Sequence, residues 1–292
     1  MNHPPKTLIL GTAAGLSLGQ IKPFCLSLAK AGYRGDLCLF VSDLDRATLE
    51  FLQARRVNLA PFQHGRLKPF PAWFIQLARL FLTHQQQQVL KEQLALGYIH
   101  MHCARYAHYQ AYLTRCGFNY DYVMLADLRD ILFQRDPFDF EIPDGLSVFM
   151  EDPGKTIGTC FTNSSWIRNG FGEVVLKELY HKPISCSGTT IGTMPAMLDH
   201  LDRVVPILSA YKKQDSIDQA THNFVLYKCP PKVVHRFEND SGPILTMANV
   251  DPTRFRFDRH GLLINTSGRV YNTLHQYDRH PELARQLLHI LT

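Results

Sequence analysis

The sequence predicts an α/β protein with a central, mostly parallel mixed sheet flanked by helices. Short apolar runs alternate with segments of helical spacing from Thr7 onward, as in successive βαβ units. One apolar run, Tyr122–Ala126, ends abruptly in Asp127-Leu-Arg-Asp130. Ligands of open α/β sheets bind at the carboxyl ends of the strands. This run therefore predicts both a buried strand and a site.

The first half of the chain predicts alternating strands and helices. A short apolar run at residues 7–10 is followed by Gly11-Thr-Ala-Ala-Gly15, which is typical of a tight turn after a strand. Further strands are predicted at residues 36–41 and 57–62, and helices at residues 18–31 and 47–55.

Later elements follow the same rules. A helix at residues 104–116 precedes the strand Tyr122–Ala126, and another strand, Leu146–Met150, ends at Glu151. Further helices are predicted at residues 72–82, 85–96, 173–180, 195–211 and 216–227. The chain after Lys232 is mixed and rich in turns. No interdomain linker is evident, so residues 1–292 are predicted to form a single domain.

Composition excludes several classes of protein. The net charge of +5, from 31 basic and 26 acidic residues, is too small to indicate nucleic acid as a partner. It allows at most peripheral contact with a membrane. The seven cysteines are odd in number and contain no Cys-x-x-Cys pair, so they predict neither a disulfide framework nor a zinc site and favour a cytoplasmic location. The first residues lack the long apolar run of a signal peptide, and no segment has the roughly 18 uninterrupted apolar residues of a membrane span.

The Asp127-Leu-Arg-Asp130 motif has two interpretations. Residues three apart in an extended strand point to opposite faces, so both carboxylates can meet one ligand only if the chain turns after Asp127. Two carboxylates at a strand end suit Mg²⁺, which often binds one or two carboxylates together with substrate phosphates. In the alternative interpretation, Arg129 forms a surface ion pair and Asp130 caps a turn.

Two segments with small residues and one arginine are further candidates. The Gly11–Gly15 segment lacks the Gly-x-Gly-x-x-Gly spacing of dinucleotide-binding proteins, so it is either an approach for a base or ribose or a simple turn. The segment from Ile184 to Gly192 suits a buried strand or loop that a ligand approaches closely, or tight packing. Arg105 is either a clamp for phosphate or a partner for Asp43, Asp121 or another acid.

Two later positions are weaker alone. Asp218 and Gln219 lie in the first turn of a predicted helix, where an aspartate also interacts favourably with the helix dipole. His275 is one of 14 histidines, and a single histidine is more often a hydrogen-bonded structural group than a ligand.

In their order along residues 7–280, these features resemble nucleotide-sugar-dependent glycosyltransferases of the GT-A fold. The run from Asp127 to Pro137 resembles the Asp-x-Arg-Asp variant of the Asp-x-Asp motif, and the preceding helix, Cys103 to Leu113, is similar to one of that family. The other matching features are a small-residue Ser187-Gly188 segment, an Asp218-Gln219-x-x-x-Asn223 helix start and the late His275.

The resemblance implies a role for each matching position. It implies a nucleotide-sugar-binding half at residues 1–150 and an acceptor-binding half at residues 151–292. Asp127, Asp130 and His275 would hold a divalent cation, Mn²⁺ or Mg²⁺. The donor would contact the remaining matching residues: Thr12 and Ala13 near the base, Arg105 and Asp127 at the diphosphate or ribose, Arg129 near the diphosphate, Gly188 and Thr189 at the sugar and acceptor, and Gln219 near the reacting sugar.

The implied activity is that of a hexosyltransferase using a UDP- or GDP-sugar and a glycan, lipid or small-molecule acceptor. An inverting enzyme needs a carboxylate base near the acceptor hydroxyl, for which Asp218 and Glu151 are the candidates. Arg129 stands where a plain Asp-x-Asp motif has its second aspartate, so its charge either supports the metal or partly replaces it.

Two other functions stay open at this point. A haloacid-dehalogenase-like phosphatase also has a strand that ends in two carboxylates, although its Asp-x-Asp-x-Thr motif is not matched here. A non-catalytic nucleotide- or sugar-binding module would use the acidic loop only as a turn.

Overall fold

The computed structural model describes residues 4–62, 100–211 and 217–292. Within them, seven strands form a mixed sheet flanked by helices, as predicted. The strands are β1 Thr7–Ala14, β2 Asp36–Ser42, β3 Asn58–Pro61, β4 Tyr122–Ala126, β5 Ile131–Phe133, β6 Leu146–Met150, β7 Ser185–Thr193, β8 Val234–Phe237, β9 Ile244–Thr246, β10 Arg256–Phe257, β11 Leu263–Ile264 and β12 Thr273–His275. The α-helices are α1 Leu18–Lys30, α2 Arg46–Ala54, α3 Met101–Cys116, α4 Phe161–Leu179, α5 Met194–Ala210, α6 Asp218–Lys228 and α7 Pro281–Leu291.

The main sheet has the strand order β3-β2-β1-β4-β7-β6-β8. Strands β1 to β4 are mutually parallel, whereas β7 runs antiparallel to both β4 and β6. Because β7 is reversed, its first residues lie at the edge where β4 and β6 end. The start of β7, the Asp127 motif and Glu151 therefore meet at one edge of the sheet.

A second sheet of three strands, β5-β12-β9, joins the same edge. Strand β12 pairs antiparallel with β5, and His275 lies opposite Ile131. The backbone N–H of Gln276 donates to the carbonyl oxygen of Asp130 at 2.7 Å. These bonds hold the end of β12 beside the turn that follows β4.

Apolar side chains cover both faces of the main sheet. Successive residues of a strand point to opposite faces, so Leu8 and Leu10 of β1 pack with helices α3 to α6, whereas Ile9 packs with α1 and α2. This burial on both sides explains why the strands are apolar without alternation. A third cluster packs α7 against β9 and β12.

The turn predicted at Gly11–Gly15 is wrong in part, because β1 continues to Ala14 and only Gly15, with φ of 63°, occupies the turn. Gly11 is instead closely packed, since a Cβ there would lie 2.0 Å from Cδ1 of Leu128 and 3.2 Å from the carbonyl oxygen of Ala126. Close packing against a residue distant in the sequence leaves no local signal, whereas a glycine followed by small residues is a common turn signal.

The later helices differ from prediction in two places. Helix α4 begins at Phe161, twelve residues before the predicted start at residue 173, and its backbone breaks at Gly172, with φ of 86°. Helix α7 was not predicted within the turn-rich last third. The helices predicted at residues 72–82 and 85–96, and the first residue of the one predicted at 216–227, lie outside the described residues. Among the described helices, none is long and apolar enough to cross a membrane.

Candidate metal centre

Three potential metal ligands converge at the sheet edge. Asp127 directly follows β4, the chain turns over residues 128–130, and Asp130 directly precedes β5, so the predicted turn after Asp127 is confirmed. Nε2 of His275 lies 3.7 Å from Oδ2 of Asp127 and 3.5 Å from Oδ1 of Asp130. One ligand atom from each residue lies within 4.8 Å of the others, so the group could hold a metal ion.

The cluster is buried on one side and open on the other. The side chains of Asp130 and His275 are 8% and 1% exposed, whereas that of Asp127 is 30% exposed. Solvent can therefore reach the cluster from the Asp127 side. A cation held there would face both protein carboxylates and solvent.

The imidazole of His275 is oriented by a contact on its far side. Its Nδ1 lies 3.2 Å from Sγ of Cys186, a buried residue of β7. Its Nε2 has no hydrogen-bond partner within the described part of the chain. Buried polar atoms in proteins are almost always paired. A cation between Nε2 and the two carboxylates would satisfy this atom, so the donor set fits a divalent metal.

The charges of the cluster follow from its surroundings. Burial opposes a charge on His275, but Cys186 and the two aspartates hold its pKa well above the usual value. Burial also opposes ionisation of Asp127, but Arg105 and His275 hold its pKa well below the usual value. Asp127 is therefore an anion at neutral pH. A cation would have to displace the proton from Nε2 of His275.

Gly188 of β7 lies directly against these ligands. The backbone N–H of Asp127 donates to its carbonyl oxygen at 2.9 Å. A Cβ at Gly188 would lie 2.5 Å from Cε1 of His275 and 2.7 Å from Oδ2 of Asp127. Only glycine leaves room for both ligands. The neighbouring Thr189 is completely buried, so it offers no exposed surface for the predicted contact with a sugar.

Arg105 lies beneath the cluster rather than at its surface. Its guanidinium pairs with Oδ1 of Asp127 and, at 3.0 Å, with Oδ2 of Asp218, and its side chain is 7% exposed. The alternative of an acid partner for Arg105 is thus confirmed. Direct contact between Arg105 and a diphosphate stays a prediction. Asp218 lies in the first turn of α6, as predicted, and its carboxylate is engaged by this arginine.

Glu151 is held in place by two amides. Its Oε1 accepts from Nε2 of Gln219 at 2.9 Å, and its Oε2 accepts from Nδ2 of Asn249 at 3.3 Å. Gln219 is itself fixed, because its Oε1 accepts from the backbone N–H of Ser187 at 2.7 Å. Burial raises the pKa of Glu151, although the charge of His275 and the two amides oppose this rise. A buried carboxylate with a raised pKa is suited to accept a proton.

Thr12 and Ala13 were expected to follow the first strand, but both lie within it. The hydroxyl of Thr12 forms a 2.8 Å hydrogen bond with that of Tyr109. Ala13 is completely buried on the opposite face, because neighbouring residues of a strand alternate.

Arg129 lies at the rim of the cluster. Its side chain is 47% exposed, and its Nη2 lies 3.7 Å from carboxylate oxygens of both Asp130 and Asp278. The ion pair considered from the sequence is therefore present. Its positive charge remains accessible to a ligand.

Sequence reasoning missed Cys186, Asn249 and Asp278. Cys186 lies inside the small-residue segment from Ile184 to Gly192, but the sequence assigns it no role of its own. Only the pairing of β7 with β4 and of β12 with β5 brings it to His275. No protein-family model matches the chain, and comparison with curated proteins finds no match.

Proposed function

We propose that this chain is a glycosyltransferase that moves a sugar from a nucleotide-diphosphate sugar to an acceptor hydroxyl. Asp127, Asp130 and His275 would hold the divalent cation, Mn²⁺ or Mg²⁺. The observation that carries the proposal is the convergence of these three groups within 4.8 Å, at the sheet edge where ligands of α/β proteins bind.

The surroundings of the cluster support this function. When bound, the cation would act as a Lewis acid toward the leaving diphosphate. Arg105 keeps Asp127 ionised and positioned, and Arg129 adds positive charge at the exposed rim. Positive groups placed in advance stabilise negative charge where it develops. Arg129 therefore supplements the cation in this proposal, since Asp130 remains directed toward His275.

Of the two predicted bases, Glu151 is the better candidate. Asp218 is paired with Arg105, so its oxygen Oδ2 is engaged in a buried ion pair. Glu151 receives hydrogen bonds from two neutral amides and lies within the electrostatic reach of His275. It would take the proton of the acceptor hydroxyl in an inverting transfer. The division into a nucleotide-sugar-binding half and an acceptor-binding half stays a prediction. The identity of the acceptor, the GT-A fold and the cytoplasmic location stay predictions as well.

The decisive experiment measures binding and turnover on the same protein. UDP and GDP are titrated with and without Mn²⁺ by calorimetry, and a panel of nucleotide sugars is screened for hydrolysis and transfer. We expect metal-dependent binding of one nucleotide and turnover of its sugar. Absence of nucleotide binding under both conditions would refute the proposal.

Asp130→Ala is the matching variant, and Asp139→Ala is its control. Asp130 is buried in the cluster, whereas Asp139 forms an exposed i,i+4 pair with Arg135, which contributes little to stability. We expect D130A to lose Mn²⁺ binding and transfer while it keeps its thermal midpoint, and D139A to keep all three. Full activity of D130A would remove the metal role.

The alternatives separate in the same assays. Hydrolysis of a phosphomonoester that is lost in Asp127→Asn would indicate the phosphatase. Nucleotide binding without turnover of any donor would indicate a binding module.

A further inference from the structure

Cys186 is the one thiol that touches the candidate metal centre in the described structure. Its Sγ lies 3.2 Å from Nδ1 of His275, and the two residues are 2% and 1% exposed. Water cannot reach this contact from bulk solvent. The orientation of the imidazole therefore depends on the sulfur and on the pairing of β12.

The direction of this hydrogen bond decides what Nε2 can do. If the thiol donates to Nδ1, a neutral imidazole carries its proton on Nε2, which then cannot bind a cation. If Nδ1–H donates to sulfur, Nε2 carries a lone pair. That lone pair points toward Asp127 and Asp130, 3.7 and 3.5 Å away.

We propose that Cys186 is a positioning residue that accepts a hydrogen bond from Nδ1–H of His275 and so directs the Nε2 lone pair to the cation. This inference rests on the metal centre of the proposed function. Metal-bound histidines usually donate their second N–H to a carboxylate, a carbonyl oxygen or water. Here a thiol of β7 takes that place, and the same strand supplies Gly188, which leaves room for the ring.

The sulfur also explains how two sheets share one centre. His275 belongs to the three-stranded sheet, whereas Cys186 belongs to the seven-stranded sheet. Their contact fixes the ring relative to Asp127, which follows β4 of the seven-stranded sheet.

The test compares Mn²⁺ affinity in full-length variants without nucleotide, measured by the electron paramagnetic resonance of free Mn²⁺. Cys186→Ala removes the acceptor, and Cys186→Ser keeps an acceptor on a shorter bond. Cys25→Ala removes the same sulfur from a buried cysteine of α1, in the apolar cluster on the α1 and α2 face of the main sheet. We expect C186A to bind about ten- to hundredfold more weakly, the usual effect of losing such a partner. C186S should be intermediate and C25A unchanged.

A spectroscopic measurement separates positioning from packing. Electron spin echo modulation of bound Mn²⁺ reports the ¹⁴N of a coordinated imidazole, and His275→Ala defines its absence. We expect this coupling in the wild-type protein and in C186S, and its loss in C186A. If C186A does not fold, Cys186→Val, which fills the space without an acceptor, takes its place.

The outcomes distinguish this inference from the proposed function. Wild-type affinity and intact ¹⁴N coupling in C186A would overturn the role of Cys186, as would an equal loss in C25A. A wild-type protein that binds no Mn²⁺ would overturn the metal centre and the inference together. If C186A loses Mn²⁺ affinity and ¹⁴N coupling as expected, but the wild-type protein transfers no sugar, the positioning role of Cys186 is supported and the transferase function is refuted.

Discussion

Replacing Gly188 by alanine tests the geometry of the candidate metal centre most directly. The new Cβ would lie 2.5 Å from Cε1 and 2.6 Å from Nε2 of His275, and 2.7 Å from Oδ2 of Asp127. Ordinary van der Waals contact begins near 3.4 Å, so the ring must move by about 0.9 Å and the carboxylate by about 0.7 Å. Alanine would not strain the backbone at this position, because Gly188 does not have a positive φ.

The displacement is large compared with what a metal site tolerates. Ligand distances in metal sites are held to about 0.2 Å, so G188A moves two of the three candidate ligands several times beyond that limit. We expect Mn²⁺ affinity to fall at least tenfold, which corresponds to about 1.4 kcal/mol. Crowding should also lower the free energy of unfolding by about 1–3 kcal/mol. Calorimetric titration with Mn²⁺ and urea unfolding measure the two effects.

Gly170→Ala is the matched control. Gly170 lies within α4, and its Cβ would meet Cδ1 of Ile217 at 3.5 Å, which is ordinary contact. We expect unchanged Mn²⁺ affinity and up to about 1 kcal/mol of added stability from the gain in helix propensity. If G188A binds Mn²⁺ as tightly as the wild-type protein, the three groups do not form the cation site.

Other variants test the supporting residues. Arg105→Met should lower the free energy of unfolding by about 3–5 kcal/mol, because it leaves the carboxylates of Asp127 and Asp218 without their buried partner; a urea midpoint equal to the wild-type value would contradict this. Glu151→Gln should keep the fold and lower kcat about 10²- to 10⁴-fold if Glu151 is the general base, and unchanged turnover of the preferred donor would exclude that role. Burial lowers the pKa of His200 to about 4, below the usual value of about 6.5, so between these pH values the unfolded chain takes up a proton that the folded chain does not. Stability should therefore fall with decreasing pH by about 1.4 kcal/mol per unit from this residue, and His200→Leu should reduce the slope of the unfolding free energy measured by urea between pH 7 and pH 4; an unaltered slope would refute the assignment.

Much of the fold was predictable because each of these strands has a local signal in the sequence, a short and strongly apolar run. The bounds of Tyr122–Ala126 and Leu146–Met150 agree with the prediction, since each run is buried and mostly apolar, with Ser147 as a small polar exception, and each is followed directly by a carboxylate. Helix α7 was not predicted because it lies in a segment with many turn residues. Its apolar face is recognisable only once β9 and β12 provide a surface to cover.

The site was predictable only as a set of residue types. Asp127 and Asp130 carry a local signal, an apolar strand that ends in acids. The sequence does not indicate which acid pairs with Arg105, because the ion pair between α3 and α6 spans 113 residues.

By itself, the sequence determined which strand ends in charged residues, and hence where ligands can meet the sheet. Buried positions along a strand favour apolar residues, whereas positions at its end are open to solvent and accept charged ones. Tertiary structure alone decided that β7 runs antiparallel, which brings Cys186 and Gly188 to the cluster, and that β12 carries His275 to within 4 Å of two aspartates. Long-range pairing sets these distances, and the pairing of strands as far apart in the chain as Ala126 and Thr189, or Ile131 and His275, has no counterpart in local composition. The Asp127-Leu-Arg-Asp130 motif thus specified two candidate metal ligands, and the fold supplied the third candidate and the thiol behind it.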